Sequence, residues 1–333
     1  MSQTPQPLMR AWQVEALTEP PSLALREIER PVPRDGECLV RVEASGLAFG
    51  DTLLVRGRYQ IKPPLPFVPG SEVVGTIVQA AQDGLPVGTR IASSCQQGGF
   101  AEFARVPSGF AVPLPVGLPA GAALALRSNF PTSLYALREV ARLRAGETVL
   151  VHAASGGVGS AAVALARWMG ARVLATAGGP AKAEAVRSLG ADEVIDYLSG
   201  DWVEAIRRHA PKGVDVVFDP VGGEVGVQSL RCLAFGARYL IVGFAGGTLT
   251  ALPANRLLLH NATAHGVLWG EVRKRDAALA NRLTWDVYEA HAQSDLPLLA
   301  GQAFAFDQAP QALEALHGRQ SIGKLWLETG RGG

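Results

Sequence analysis

The sequence predicts an α/β fold: a doubly wound parallel sheet joined to a second, β-rich domain. Three observations predict it. The chain has 333 residues, which supports about two domains at roughly 150 residues each. From Ala11 to about Ala125 it reads as short strands broken by Pro and Gly. From Glu147 onward apolar runs alternate with helical segments.

In the first part ECLVRVEASG, GSEVVGTIVQA, GTRIASS and GGFAEFARVP read as strands, and PPLPFVPGS as an ordered loop. Turn residues at such short intervals suit a compact, partly barrel-like β domain. The texture changes near Phe130. TVLVHA, ARVLATA, EVIDY, VDVVFDP and ARYLIVGF then read as strands, and GGVGSAAVALARWMG, AKAEAVRSLG, DWVEAIRRHA and EVGVQSLRCLA as helices. Uniformly apolar strands with helical crossovers imply a parallel sheet covered on both faces. Beyond Gly246, LPANRLLLHN is predicted helical, ATAHGVLWG a strand, Glu271–Gln293 one long helix, and the tail strand–helix–strand.

Composition narrows the function. Hydrophobic residues make up 48% and charged residues 18%, and 31 Lys and Arg against 30 Asp and Glu leave a net charge of +1. That balance gives no electrostatic reason to bind nucleic acid or an anionic membrane. Cys38, Cys95 and Cys232 form no C-x-x-C pair, which argues against a disulfide framework and a structural zinc lobe. No apolar run approaches the length of a bilayer span, so the expectation is a soluble, cytoplasmic protein.

The strongest chemical signal is His152-Ala153-Ala154-Ser155-Gly156-Gly157-Val158-Gly159, between a strand and an apolar-faced helix. Gly156 and Gly159 fall on the second and third glycines of the dinucleotide fingerprint G-x-G-x-x-G, and Ala154 replaces the first. In that reading Gly156 admits the pyrophosphate, Gly159 permits close helix–strand packing, and the helix amides face the phosphates. The competing reading is an ordinary glycine turn. The second strand ends Leu174-Ala175-Thr176-Ala177-Gly178-Gly179. Ala177 stands where an NAD site carries an acid for the ribose 2′-OH. Lys182 follows shortly and suits a 2′-phosphate, so NADPH is the expected cofactor; its alternative is a solvated helix-surface lysine.

The chain resembles the medium-chain dehydrogenase/reductase superfamily, and within it the zinc-free NADPH:quinone oxidoreductases of the zeta-crystallin-like branch. The resemblance rests on VEASGLAFGDTLLVRGRYQIKPPLPFVPGSEVVG, GGFAEF, ETVLVHAASGGVG, LGADEVIDY, VDVVFDPVGG, LIVGFAGG, LPANRLLLHNATAHGVLWG and RQSIGKLWL. It implies a discontinuous GroES-like catalytic domain over 1–127 and 265–333, a Rossmann NADP-binding domain over 128–264, and a cofactor in the cleft between them. It also implies a homodimer joined at the outer edge of the Rossmann sheet, with ARYLIVGF as the strand that extends it.

Zinc-dependent relatives need a Cys near Ala48 and a His before the Glu of G-H-E. Here the triplet is Gly70-Ser71-Glu72, so no catalytic metal is expected, and Glu72 is read as structural, pairing with an arginine. Without a Lewis acid the chemistry favours an acceptor that is already electrophilic: a quinone or similar conjugated carbonyl. Asp51 and Tyr59 are carried over as catalytic candidates, with loop fixing and simple packing as their alternatives. Ala48 replaces an Asn of the relatives, which removes a polar anchor and widens the expected pocket.

For the cofactor the resemblance assigns Thr132 and the turn Ser155, Gly156, Gly157, Val158 and Gly159. It adds Thr176, Gly178, Lys182 and Tyr197 on the adenosine side. Gly243, Phe244, Ala245, Leu268 and Trp269 follow on the nicotinamide side, with Arg319 reaching for a phosphate. For each, core packing or a solvated charge is the alternative. An enoyl or alkenal reductase is the rival activity; Arg56, Arg58 and Lys62 offer thin support for an acyl-CoA substrate. A non-catalytic NADPH-binding, crystallin-like protein is the rival outside enzymes.

Overall fold

The computed structural model describes residues 6–59, 61–293, 296–299 and 301–330. It divides into two compact units, one of residues 1–128 with 301–333, the other of 129–300.

The first unit opens with β1 (Leu8–Ala16) and β2 (Ser22–Glu29), an antiparallel ribbon. Then come β3 (Glu37–Gly46), α1 (Phe49–Leu54), β4 (Glu72–Gln79), β5 (Arg90–Ser94), β6 (Phe103–Pro107), β7 (Val112–Pro113) and α2 (Ala120–Leu134), whose last residues belong to the second unit. The second unit holds β8 (Thr148–Val151), α3 (Gly157–Trp168), β9 (Arg172–Ala177), α4 (Pro180–Arg187), β10 (Glu193–Asp196) and α5 (Trp202–His209). It continues through β11 (Val214–Asp219), α6 (Gly223–Ser229), β12 (Leu233–Ile241), α7 (Ala254–His260), β13 (Thr263–Gly266), α8 (Trp269–Arg275) and α9 (Ala277–Gln293). The tail returns to the first unit as β14 (Gln302–Ala305), α10 (Ala309–His317) and β15 (Leu325–Glu328).

The first unit's main sheet runs β14-β15-β3-β4-β5-β7, with β6 paired to β3. The tail is integral to it: β15 pairs with β3, and Leu325 and Leu327 share a core with Trp12, Phe67, Phe100 and Leu313.

The second unit's sheet runs β10-β9-β8-β11-β12-β13, all parallel. Residues 149–151, 173–177 and 216–219 are buried, as a sheet sandwiched by helices requires. The order reverses between β8 and β11, the topological switch point where open α/β sheets bind ligands at the carboxyl ends of their strands. Local signals act as the sequence implies at α5, where the Asp201 carboxylate caps Val203 and Glu204 N–H at 3.0 and 3.1 Å.

Three expectations are corrected. The chain returns to the first unit at Gly301, not at 265, because β13 hydrogen-bonds β12 and thereby joins the parallel sheet. ARYLIVGF runs from β12, which is paired on both sides by β11 and β13, so the edge on that side of the sheet is β13. The long helix expected over Glu271–Gln293 is two: backbone at Asp276 leaves the helical region, and its carboxylate caps Leu279 N–H at 2.9 Å.

Candidate active site

In the second unit the turn after β8 is built by backbone geometry. Ala153 adopts φ +47°, a left-handed conformation uncommon for residues with a side chain. Its carbonyl accepts from Gly156 N–H at 2.9 Å. The turn's left-handed residue is therefore Ala153, one place before the alanine that replaces the first fingerprint glycine. Each glycine then has a separate reason. A Cβ on Gly159 would lie 2.2 Å from the Ala153 carbonyl oxygen, so this glycine permits helix–strand packing. One on Gly157 would strike the Asn129 side chain, 2.6 Å away. At Gly156 only the Ala153 oxygen, at 3.3 Å, is near, so the outer face of that backbone is open. The first helical bond of α3 is Ser160 N–H to Gly156 O. The amides of Gly157, Val158 and Gly159 thus have no acceptor within the helix. Ser155 is buried, and Ser133 Oγ, beside Thr132 on α2, donates to Val158 O at 2.8 Å.

Beneath the turn lies a buried polar chain. His152 Nδ1 is 2.9 Å from Thr176 Oγ1, and Nε2 is 2.8 Å from Ser229 Oγ. Ser229 gives its only hydroxyl proton to Val225 O at 2.7 Å. It therefore accepts from His152 Nε2–H, and Thr176 donates to Nδ1. Burial pushes the imidazole pKa down to about 4, partly opposed by Asp219. Thr176, assigned to the cofactor by resemblance, spends its hydroxyl proton on this core histidine.

At the end of β9, Ala177 is buried and carries no acid. Tyr197 covers Gly178: a Cβ there would lie 2.6 Å from the phenol oxygen. Asp196 accepts from the Gly179 and Leu198 amides at 3.0 Å each, and those bonds hold its carboxyl below the usual range. It fixes the entry to α4, which carries half-buried Lys182 in its first turn.

Past β12, Ala245 N–H is spent on Pro220 O at 2.9 Å and Gly246 N–H on Val221 O at 2.7 Å. Phe244 packs against Gly222, and a Cβ on Gly243 would lie 3.4 Å from the Pro220 carbonyl oxygen, an ordinary contact. These bonds dock the segment on the β11–α6 loop, which Asp219 pins by accepting from Val221 and Gly222 N–H at 2.7 and 3.0 Å. Leu268 is exposed, while Trp269 is buried with its ring 5.8 Å from that of Tyr135. Tyr135 lies in a π-helical turn, Tyr135–Val140, that continues α2.

The first unit holds Asp51, Tyr59 and Arg319. Asp51 is buried on α1, where its carboxylate accepts from Ala48 N–H at 2.8 Å. Burial raises its pKa to about 7, and nearby Glu72 reinforces the shift. Tyr59 is half-buried, its ring against Gly50. Arg319 is exposed, at φ +57° just after α10. Glu72 pairs with Lys324 rather than an arginine, and both are buried. Lys324 also donates to Leu47 O at 3.1 Å, and Ser128 Oγ donates to Glu72. Lys324 escaped the sequence reading; its signal is a lone lysine in SIGKLWL, inside an otherwise apolar strand approach.

Arg56 is likewise inside, its side chain fully buried and bonded to Glu19, Glu314 and Thr52 O. Arg58 pairs with Glu19 at 3.3 Å. Of the cations offered for an acyl-CoA site, Arg56 is thus committed to the fold, while Arg58 stays exposed in a surface pair.

The donor set does not fit a catalytic zinc. Ala48 and Ser71 stand where thiolate and imidazole would be needed, and no group of three His, Cys, Asp or Glu suited to a metal occurs among the described residues.

Comparison with known proteins fixes the lineage. Residues 34–116 match the alcohol dehydrogenase GroES-like domain family, and 157–284 the zinc-binding dehydrogenase family. Quinone oxidoreductase-like protein 2 of Rattus norvegicus is 33% identical over 310 residues, 92% of this chain and 88% of its own length. The chain belongs to the quinone oxidoreductase-like branch of the medium-chain dehydrogenase/reductase superfamily. Among solved structures, the Thermus thermophilus quinone oxidoreductase, determined also in complex with NADPH, is 35% identical with a TM-score of 0.83, covering 96% of this chain and all of that one. The CurK enoyl reductase is 26% identical with a TM-score of 0.85, covering 97% and 99%. This membership makes the chain an oxidoreductase. It has the GroES-like and Rossmann-type domains expected, and no described helix is long and apolar enough to cross a membrane.

Proposed function

We propose that this chain is a zinc-independent NADPH-dependent reductase of quinones or similar conjugated carbonyls. One observation carries it: an open Gly156 backbone and a helix start whose amides have no acceptor within the helix, at the switch point of a parallel sheet whose second strand ends without an acid. NADPH, when bound, supplies the hydride.

The chain's residues do the rest. Gly156 and the amides of Gly157, Val158 and Gly159 take the pyrophosphate, flanked by Ser155 and Thr132. Lys182 and Tyr197, beside Gly178, hold the 2′-phosphate end, where Ala177 offers no repulsion. Gly243, Phe244, Ala245, Leu268 and Trp269 shape the nicotinamide end by backbone and packing, and Arg319 answers a phosphate charge. Tyr59 orients the acceptor carbonyl. Asp51 gives its carboxyl proton to the oxygen that becomes an oxyanion as hydride arrives, and takes a proton back from water. The balance is quinone, NADPH and one proton in, hydroquinone and NADP+ out. Ala48 leaves room for a broad, apolar acceptor.

Similarity to the CurK enoyl reductase supports a second reading, reduction of an activated alkene. The burial of Arg56 disfavours a CoA thioester within it. The deciding experiment follows NADPH oxidation with quinones, enals and an enoyl-CoA under one set of conditions. Turnover highest on quinones supports the proposal; turnover confined to alkenes replaces it; tight NADPH binding without any turnover makes the chain a binding protein.

The quaternary state we propose is a homodimer. Strand β13 offers an unpaired sheet edge, and Leu258 and Leu259 on neighbouring α7 are 80% and 70% exposed. Edge strands of this kind pair across two-fold axes. Sedimentation of wild type against Ala264→Pro distinguishes a dimer through this edge from a monomer.

A further inference from the structure

We infer that Glu72 and Lys324 are positioning residues that set the proton on Asp51 from opposite sides, Glu72 holding it there and Lys324 loosening it. The inference rests on the proposed role of Asp51 as proton donor.

The three groups share one buried site in the first unit. Asp51 is 3% exposed, Glu72 6% and Lys324 5%. Two of them are tied to the two ends of one peptide group, Leu47–Ala48: Lys324 Nζ donates to Leu47 O, and Asp51 accepts from Ala48 N–H. Ser71, beside Glu72, bonds the Asp51 side chain. The packing is tight, since a Cβ on Gly46 would lie 2.6 Å from Glu72 Oε2 and 3.0 Å from Lys324 Cε.

Charge counting gives the direction. Two carboxylates and one ammonium, all ionised, leave one uncompensated negative charge away from water, which is costly. A proton on one carboxyl removes it. Glu72 accepts from the Lys324 ammonium and the Ser128 hydroxyl, and the charged donor favours its ionised form. Asp51 accepts from neutral donors, Ala48 N–H and Ser71, so the proton resides there; the rise in its pKa agrees. Arg56, just past α1, spends its guanidinium on Glu19, Glu314 of α10 and Thr52 O.

The test is direct titration of Asp51 by carboxyl-carbon NMR in full-length protein labelled with 13C-aspartate, its resonance assigned by loss in Asp51→Asn. In Glu72→Gln the midpoint should fall by about one pH unit, since a like charge is gone. In Lys324→Met it should rise by about as much, and Lys324→Arg should restore it. A Glu72→Gln midpoint equal to or above that of wild type overturns the inference, whether or not Lys324→Met folds. The pH profile of kcat with NADPH and 1,4-benzoquinone separates the two claims. Midpoints that shift as stated while the profile stays put support the tuning and defeat the donor role of Asp51.

Discussion

Gly159 lies against the carbonyl of Ala153 so closely that a single added methyl would come within 2.2 Å of the oxygen. Backbone on both sides leaves nothing flexible to yield. Gly159→Ala should destabilise the protein by about 1–3 kcal/mol, the usual cost of overpacking, and lower NADPH affinity because α3 must shift away from β8. Urea unfolding and NADPH titration by fluorescence measure the two effects; an unchanged midpoint would remove the packing role of this glycine.

Under the proposed function, Lys182 discriminates between the two cofactors. Lys182→Ala should weaken NADPH by about 1.5–3 kcal/mol, the range for bonds to charged groups, and leave NADH nearly unaffected. Equal losses with both, measured by calorimetry, would defeat the assignment to the 2′-phosphate.

His152 makes stability depend on pH in a stated direction. Its pKa is held near 4 in the fold against about 6.5 when unfolded. A depressed histidine costs nothing above pH 6.5, where both states are neutral. As pH falls below 6.5 the unfolded state gains the proton first, and stability drops until about pH 4. The total loss is on the order of 3 kcal/mol. Urea midpoints between pH 7 and 4 should show a shallower decline in His152→Asn than in wild type.

Arg56 is a structural arginine. Its side chain is fully buried while Glu19 and Glu314, its partners, are 48% and 56% exposed. Arg56→Ala lets both carboxylates return to water but loses three hydrogen-bonded contacts and leaves a cavity, for about 2–3 kcal/mol. Thermal unfolding checks the loss. A variant as stable as wild type would make Arg56 available for substrate binding after all.

The parallel sheet, the glycine turn and the missing acid at Ala177 were legible because each is local. Five apolar runs spaced by helical segments dictate a covered sheet, and strand–turn–helix context places Gly156 and Gly159 at the start of α3. Ala153 was not legible: nothing in an alanine announces a left-handed φ, which the closing of the turn imposes. The break at Asp276 was missed since its capping carboxylate sits within an unbroken helical pattern.

Sequence by itself determined the lineage, a glycine turn between strand and helix, and the lack of zinc donors at Ala48 and Ser71, because those follow from residue types at short, fixed spacings. Tertiary structure alone decided that Lys324 meets Glu72 across 252 positions, that Arg56 is inside, and that β13 forms one edge of the parallel sheet. Each of these depends on where distant segments come to lie. That is set by the burial of whole strands and helices, and a charge turned inward is identified only by the partner it finds there.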